Sequence, residues 1–320
     1  MGRLVLRKGG WDSVGQFVAA ALVAAIFAGS LWVIGQELRG FEYAEVGRYL
    51  TGLPPSYVGT ALILTFATFV VLAGYDALAL RYIDVDLSGP RIALSAFIGY
   101  AVSQAVGNPI LTGGSVRYRL YSLWGLAPSD VAKAIGFAGA SFWLGFFSLG
   151  GVVFLLDPVG LGASMELGVS STALGTACLL PVVGYVGFTW WREAPLTVWG
   201  TRLAVPPQWM LPVQVGLAAG DLLLASSVVY VLLPPEVGVS FPHVLAVYLV
   251  ALLAGLVSHV PGGLGVFEGT MLLLLAPPIE PPTLLGALLA YRGVFHLLPL
   301  VLALLIFGGF EVRRSMTGEV

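Results

Sequence analysis

Charge is what this sequence has least of. Asp, Glu, Lys and Arg together make up 10% of its 320 residues, against 58% hydrophobic residues and a mean hydropathy of +0.93. Soluble domains carry roughly 25% charged residues, so the chain reads as an integral membrane protein. Its 15 basic and 17 acidic residues nearly cancel and leave no basic face, which excludes a nucleic-acid partner. The single cysteine, Cys178, excludes an intramolecular disulfide and, inside an apolar run, reads as a small packing residue. The three histidines, His243, His259 and His296, lack metal-ligand spacing. No His-Glu-x-x-His, Gly-x-Ser-x-Gly or Walker loop occurs, so neither an enzyme nor a bound metal or cofactor is expected. Without a nucleotide site, any transport draws on a gradient or runs downhill.

What is abundant is uncharged apolar sequence. The runs 13–36, 92–116, 134–156 and 167–191 each exceed the ~20 residues that a helix needs to cross ~30 Å of hydrocarbon. Arg3, Arg7 and Lys8 before the first run place the N-terminus in the cytoplasm, ahead of an uncleaved first helix. Further spans are expected at 57–80, 131–156, 167–191, 210–233 and 283–310, with Arg313 and Arg314 keeping the C-terminus cytoplasmic as well. The segment 37–56 reads as a polar, proline-containing connection, with Tyr43, Tyr49 and Tyr57 at the outer interface.

Two apolar stretches are interrupted. In 92–126, Gly107, Asn108 and Pro109 are followed by Gly113 and Gly114, then by Arg117 and Arg119. As an ordinary crossing it would leave Arg117, Arg119 and Lys133 outside, so a re-entrant hairpin entered from the cytoplasm is expected. In 242–276, Pro261, Gly262, Gly263 and Gly265 interrupt the run just before Glu268. Glycine frees the backbone and proline removes a donor, so a second hairpin is expected there. Irregular backbone at membrane depth survives only where protein or a water-filled cavity receives its polar groups.

The order helix, acidic helix, broken hairpin, helix occurs twice, in halves at about 13–156 and 167–310. Ala73-Gly74-Tyr75-Asp76 echoes Ala219-Gly220-Asp221, and the Gly-Gly pairs follow these acids by 37 and 41 positions. The expectation is an all-α integral membrane protein of about seven to eight membrane helices plus two re-entrant broken hairpins. It would form one transmembrane domain over 1–320 with an inverted-topology repeat.

Asp76, Arg117, Asp221, Glu268 and Arg292 are the charges at membrane depth, each needing a partner or water. Arg117 is set against Glu268 as its counterpart in the other hairpin, and Asp76 could instead pair with Arg81 at an interface. Arg117 and Arg119, two apart, point to different helix faces, while Arg292 and His296, four apart, share one. His259 beside the Pro-Gly-Gly turn, and Asn108 before Pro109, complete the candidate set.

Val260-Pro261-Gly262-Gly263-Leu264-Gly265-Val266-Phe267-Glu268, with Gly113 to Arg119, resembles the membrane region of bacterial lysylphosphatidylglycerol synthetases. This is the flippase domain of the multiple peptide resistance factor family, and the resemblance spans essentially all 320 residues. It implies movement of aminoacylated phosphatidylglycerol or a related lipid between leaflets, with roles at Asp76, Arg117, Asp221 and Glu268. The full-length synthetases continue into a soluble aminoacyl-transferase domain, whereas this sequence stops at Val320, so lipid synthesis is not carried over. The expected function is therefore a lipid translocase of the bacterial cytoplasmic membrane, with a phospholipid as substrate. A homodimer and a separate lipid-modifying enzyme are compatible partners. The alternatives are an ion-coupled small-solute transporter and an intramembrane lipid-modifying enzyme using Glu268 and His259 as acid and base.

Overall fold

The computed structural model describes residues 43–107, 112–156, 170–192, 194–198, 201–235, 238–275 and 279–317. The first expected span at 13–36, together with Asn108 and Pro109, lies outside them. The helices are α1 (Tyr43–Gly52), α2 (Pro55–Tyr82), α3 (Gly89–Val106), α4 (Thr112–Leu123), α5 (Pro128–Leu156) and α6 (Ser171–Trp191). After a two-stranded hairpin, β1 (Leu196–Val198) with β2 (Thr201–Leu203), come α7 (Met210–Leu232) and α8 (Phe241–Ser258). A 3-10 turn (Pro261–Gly263) leads to α9 (Val266–Leu275) and α10 (Pro281–Tyr291). A π-helical segment (Arg292–Leu297) then runs into α11 (Leu298–Thr317).

The chain is an all-α multi-pass membrane protein. Six helices of the described residues are long and apolar enough to cross a membrane: α2, α5, α6, α7, α8 and the continuous stretch Pro281–Arg314. Proline in the first turn opens α2, α3, α8 and α10, where its fixed φ suits a helix and its missing N–H is no loss. Ile63, Phe66, Val70, Leu180, Val183 and Leu305 face out of the bundle, an apolar exterior suited to lipid tails.

α2 runs along α7, so the helices carrying Asp76 and Asp221 pack against each other, Gly74 receiving Leu217. Around that pair sit α5, α8 and α10, whose buried side chains form the main core with Phe146, Leu222, Val229, Leu249, Leu284 and Phe295. α6 lies outermost, held to α5 by the close approach of Gly151 and Gly175.

Charge separates along the bundle. One end carries Arg81 against Trp209, Arg91 against Trp124, the Arg119–Glu311 and Lys133–Asp130 pairs, and the β-hairpin segment, where Tyr82 Oη donates to the carbonyl of Ala204. The first broken segment starts and finishes at this end, because Arg91 and Trp124 line the same cavity with Phe310 and Arg314. At the opposite end, 43–52 is a helix where a polar connection was expected. There Tyr49 packs on Gly286 and donates its hydroxyl to the carbonyl of Leu232 at the end of α7.

Candidate functional site

The two breaks meet in the middle of the bundle. α3 ends at Gly107, whose φ of +78° suits glycine, and the 3-10 turn holds Gly262 at +61°. A Cβ on Gly107 would stand 2.7 Å from the backbone N of Gly262, and one on Gly262 would stand 2.8 Å from the carbonyl O of Ala105. Glycine is thus needed on both sides for backbone to touch backbone. Gly113 is as crowded, its Cβ position being filled by Ser103 Oγ and the carbonyl of Gly99, while Gly114 is simply buried.

Beside this contact lie two buried ion pairs, one at each break. Arg117 Nε donates to Asp76, at 2.9 Å from Oδ2 and 3.2 Å from Oδ1, and Tyr121 Oη adds a bond of 2.8 Å to Oδ2. The guanidinium lies over the Tyr100 ring, 4.0 Å from its centroid, with Nη2 buried and given no acceptor. Asp76 therefore does not pair with Arg81, which is taken by Trp209.

Glu268 is claimed by Arg292, whose Nε donates to Oε1 at 2.6 Å. Its Oε2 accepts the backbone N–H of Gly265 at 2.9 Å. Because Glu268 is the third residue of α9, this bond back to the residue before the helix is half of a capping box. It also places a carboxylate at the positive end of the helix dipole. Arg292 Nη1 donates to the carbonyl of Gly262 at 2.8 Å, tying the last membrane segment to the turn itself. Arg292 opens the π-helical segment, a wider turn often found at functional sites. In that wider turn Arg292 is buried, while His296, four positions on, is half-buried with its Nδ1 given no partner.

Asp221 lies between the pairs. It is buried at the midpoint of α7 and makes no hydrogen bond or ion pair among the described residues. Tyr75 and Tyr100 lie within its electrostatic reach on the Asp76–Arg117 side, and Tyr248 and Tyr291 on the Arg292 side. The hydroxyls of Tyr248 and Tyr291 lie 3.1 Å apart, whereas that of Tyr75 is buried with no partner. These tyrosines were not singled out beforehand. The only hint was Tyr75 beside Asp76 in the repeated Ala-Gly element.

One expected residue does not join this centre. His259 is exposed, caps α8 in the left-handed conformation and bonds the carbonyl of Val257 through Nδ1. Arg119 points outward to Glu311. Asn108 and Pro109 fall outside the described residues. No group of three metal-binding side chains occurs among those described.

At the basic end, a cavity of about 400 Å³ opens between α3, α4 and α11, with Arg91 and Arg314 beside Leu123, Trp124 and Phe310.

No protein-family model matches the chain. It is 29% identical to the inner membrane protein YbhN of Escherichia coli, over 91% of this chain and 88% of that one. To the phosphatidylglycerol lysyltransferase of Staphylococcus haemolyticus it is 24% identical over 95% of its length. That match takes in only 35% of the lysyltransferase. With the "Uncharacterized protein slr0712" of Synechocystis sp. it shares 35% identity over 97% of this chain and 98% of that protein, and it belongs to the same family.

Proposed function

We propose that the protein is a lipid translocase of the bacterial inner membrane, moving an anionic phospholipid between leaflets. The observation carrying this is the contact of two interrupted membrane segments at Gly107 and Gly262, with opposite charges buried beside it. Irregular backbone and charge at membrane depth are costly, and transporters concentrate both at the substrate path. In this reading the two segments are re-entrant hairpins of an inverted repeat. The end bearing Arg81, Arg91, Arg119 and Arg314 is cytoplasmic, as basic residues prefer.

A lipid head group enters the cavity lined by Arg91, Trp124 and Arg314, its tails remaining in the bilayer beside Phe310. It then passes between the breaks. Arg117 receives the phosphate, because Nη2 is a planar donor without an acceptor and charge-assisted bonds to phosphate are strong. The relationship to a portion of phosphatidylglycerol lysyltransferases supports a phospholipid as cargo.

The test uses purified protein in vesicles containing a fluorescent phosphatidylglycerol in one leaflet. Transbilayer movement that depends on Arg117 is expected. Uptake of small solutes with no lipid movement would replace this reading with the ion-coupled transporter. A covalently altered lipid, seen by mass spectrometry, would replace it with an enzyme.

A further inference from the structure

The buried centre holds three carboxylates and two guanidiniums. Asp76 is matched by Arg117 and Glu268 by Arg292, and each pair is closed by further hydrogen bonds. Asp221 remains, eleven residues from either end of α7, 8% exposed and with no partner among the described residues. A lone carboxylate at that depth costs several kcal/mol if ionised, so something positive accompanies it or it is neutral.

The surroundings discriminate between occupants. A metal cation needs several oxygen or nitrogen ligands, and no group of three metal-binding side chains occurs among the described residues. An ammonium head group needs space. Here Ala218, one turn before Asp221, packs so tightly on Gly145 of α5 that glycine is required there. The smallest cation, a proton, needs neither.

The elements that pack most extensively on α7 are α2, α5, α8 and α10, while Tyr185 of α6 meets it at Gln214, two turns before Asp221. α2 presents Tyr75, whose buried hydroxyl has no partner, and Asp76, already bonded to Arg117 and Tyr121. α8 and α10 present Tyr248 and Tyr291, bonded to each other, with Arg292 held by Glu268 next in sequence. From α3, Tyr100 reaches Asp221 electrostatically while lying under Arg117. α5 offers no charge at this level, since Asp130 and Lys133 pair with each other near its start.

We infer that Asp221 is a proton-binding site, with Tyr75 as its polar neighbour, and that it couples lipid movement to proton movement. The carboxylate holds a proton while the breaks are closed on each other and returns it to water when they part. A proton taken up from one side is thereby released to the other, and the proton gradient supplies the driving force. The coupling, though not the proton site, rests on the lipid-translocase reading.

Two measurements on the full chain in lipid separate these claims. Infrared difference spectra at neutral pH should show the carbonyl band of a protonated carboxylic acid that Asp221→Asn lacks. Tyr75→Phe should shift that band without removing it. Identical spectra for wild type and Asp221→Asn overturn the inference. In vesicles carrying fluorescent phosphatidylglycerol, an imposed pH gradient should change the wild-type rate several-fold and leave Asp221→Asn unaffected. Equal gradient dependence in both proteins overturns the coupling. A band specific to Asp221 with no lipid movement at all upholds the proton site and sinks the translocase reading.

Discussion

The two buried ion pairs look alike in charge and burial but differ in how completely they are satisfied. Glu268–Arg292 is closed: both carboxylate oxygens are used, and Arg292 spends a second nitrogen on the Gly262 carbonyl. Asp76–Arg117 is open. Asp76 is satisfied by Arg117 and Tyr121, yet Arg117 keeps Nη2 buried and without an acceptor. A closed pair fixes backbone, here the shape of the second break. An open one leaves a donor unclaimed, which in the proposed function receives the lipid phosphate. The two halves thus use one chemistry for different ends.

The largest break in this comparison should come from Arg292→Ala. It strands the Glu268 carboxylate and frees the Gly262 carbonyl, at about 3–5 kcal/mol, the range for removing one partner of a buried pair. The unfolding midpoint of the purified protein should fall steeply, and yield with it. Next comes Gly262→Ala, which drives a Cβ into the Ala105 carbonyl at a positive φ. A loss of about 1–3 kcal/mol is expected in the same thermal assay. A tolerated alanine would show that the breaks are not in contact.

Arg117→Lys sharpens the contrast. Lysine keeps the charge beside Asp76 but loses the planar fork, so stability should change little while lipid movement falls about 10-fold, worth ~1.4 kcal/mol. Equal losses of stability and transport would instead make Arg117 a second structural clasp. Tyr121→Phe removes one of the donors on Asp76 and should cost ~1 kcal/mol in unfolding experiments. Smallest of all is His259→Ala. Exposed and bonded only to its own segment, it should alter stability by less than ~0.5 kcal/mol and leave lipid movement intact. A large transport defect there would revive the acid–base reading of His259 with Glu268.

Much of the fold is legible because its signals are local. The expected span at 210–233 is α7, Met210–Leu232, and the interrupted stretch 242–276 resumes after its break as α9, Val266–Leu275. Glycine at 107 and Pro261–Gly263 interrupt helices wherever they occur, so both breaks can be placed without knowing what surrounds them. α1 escaped notice because a ten-residue helix is held by packing, here Tyr49 on Gly286, rather than by composition. The π-helical turn at Arg292 was equally hidden, since nothing in its composition separates it from an α-helix.

The charges mark the limit. Asp76, Arg117, Asp221, Glu268 and Arg292 could be named from the sequence, because ionisable groups in apolar runs are expensive and few. Their partners could not: the one pairing the sequence suggested, Asp76 with Arg81, is replaced by Asp76 with Arg117. Which carboxylate meets which guanidinium depends on how helices rotate and cross, and that is decided by contacts between residues far apart in sequence. By itself the sequence determined a membrane-embedded helical chain, interrupted twice, with a small set of buried charges. Only the tertiary structure closed one pair, left a donor of the other unclaimed, and placed Asp221 alone between them.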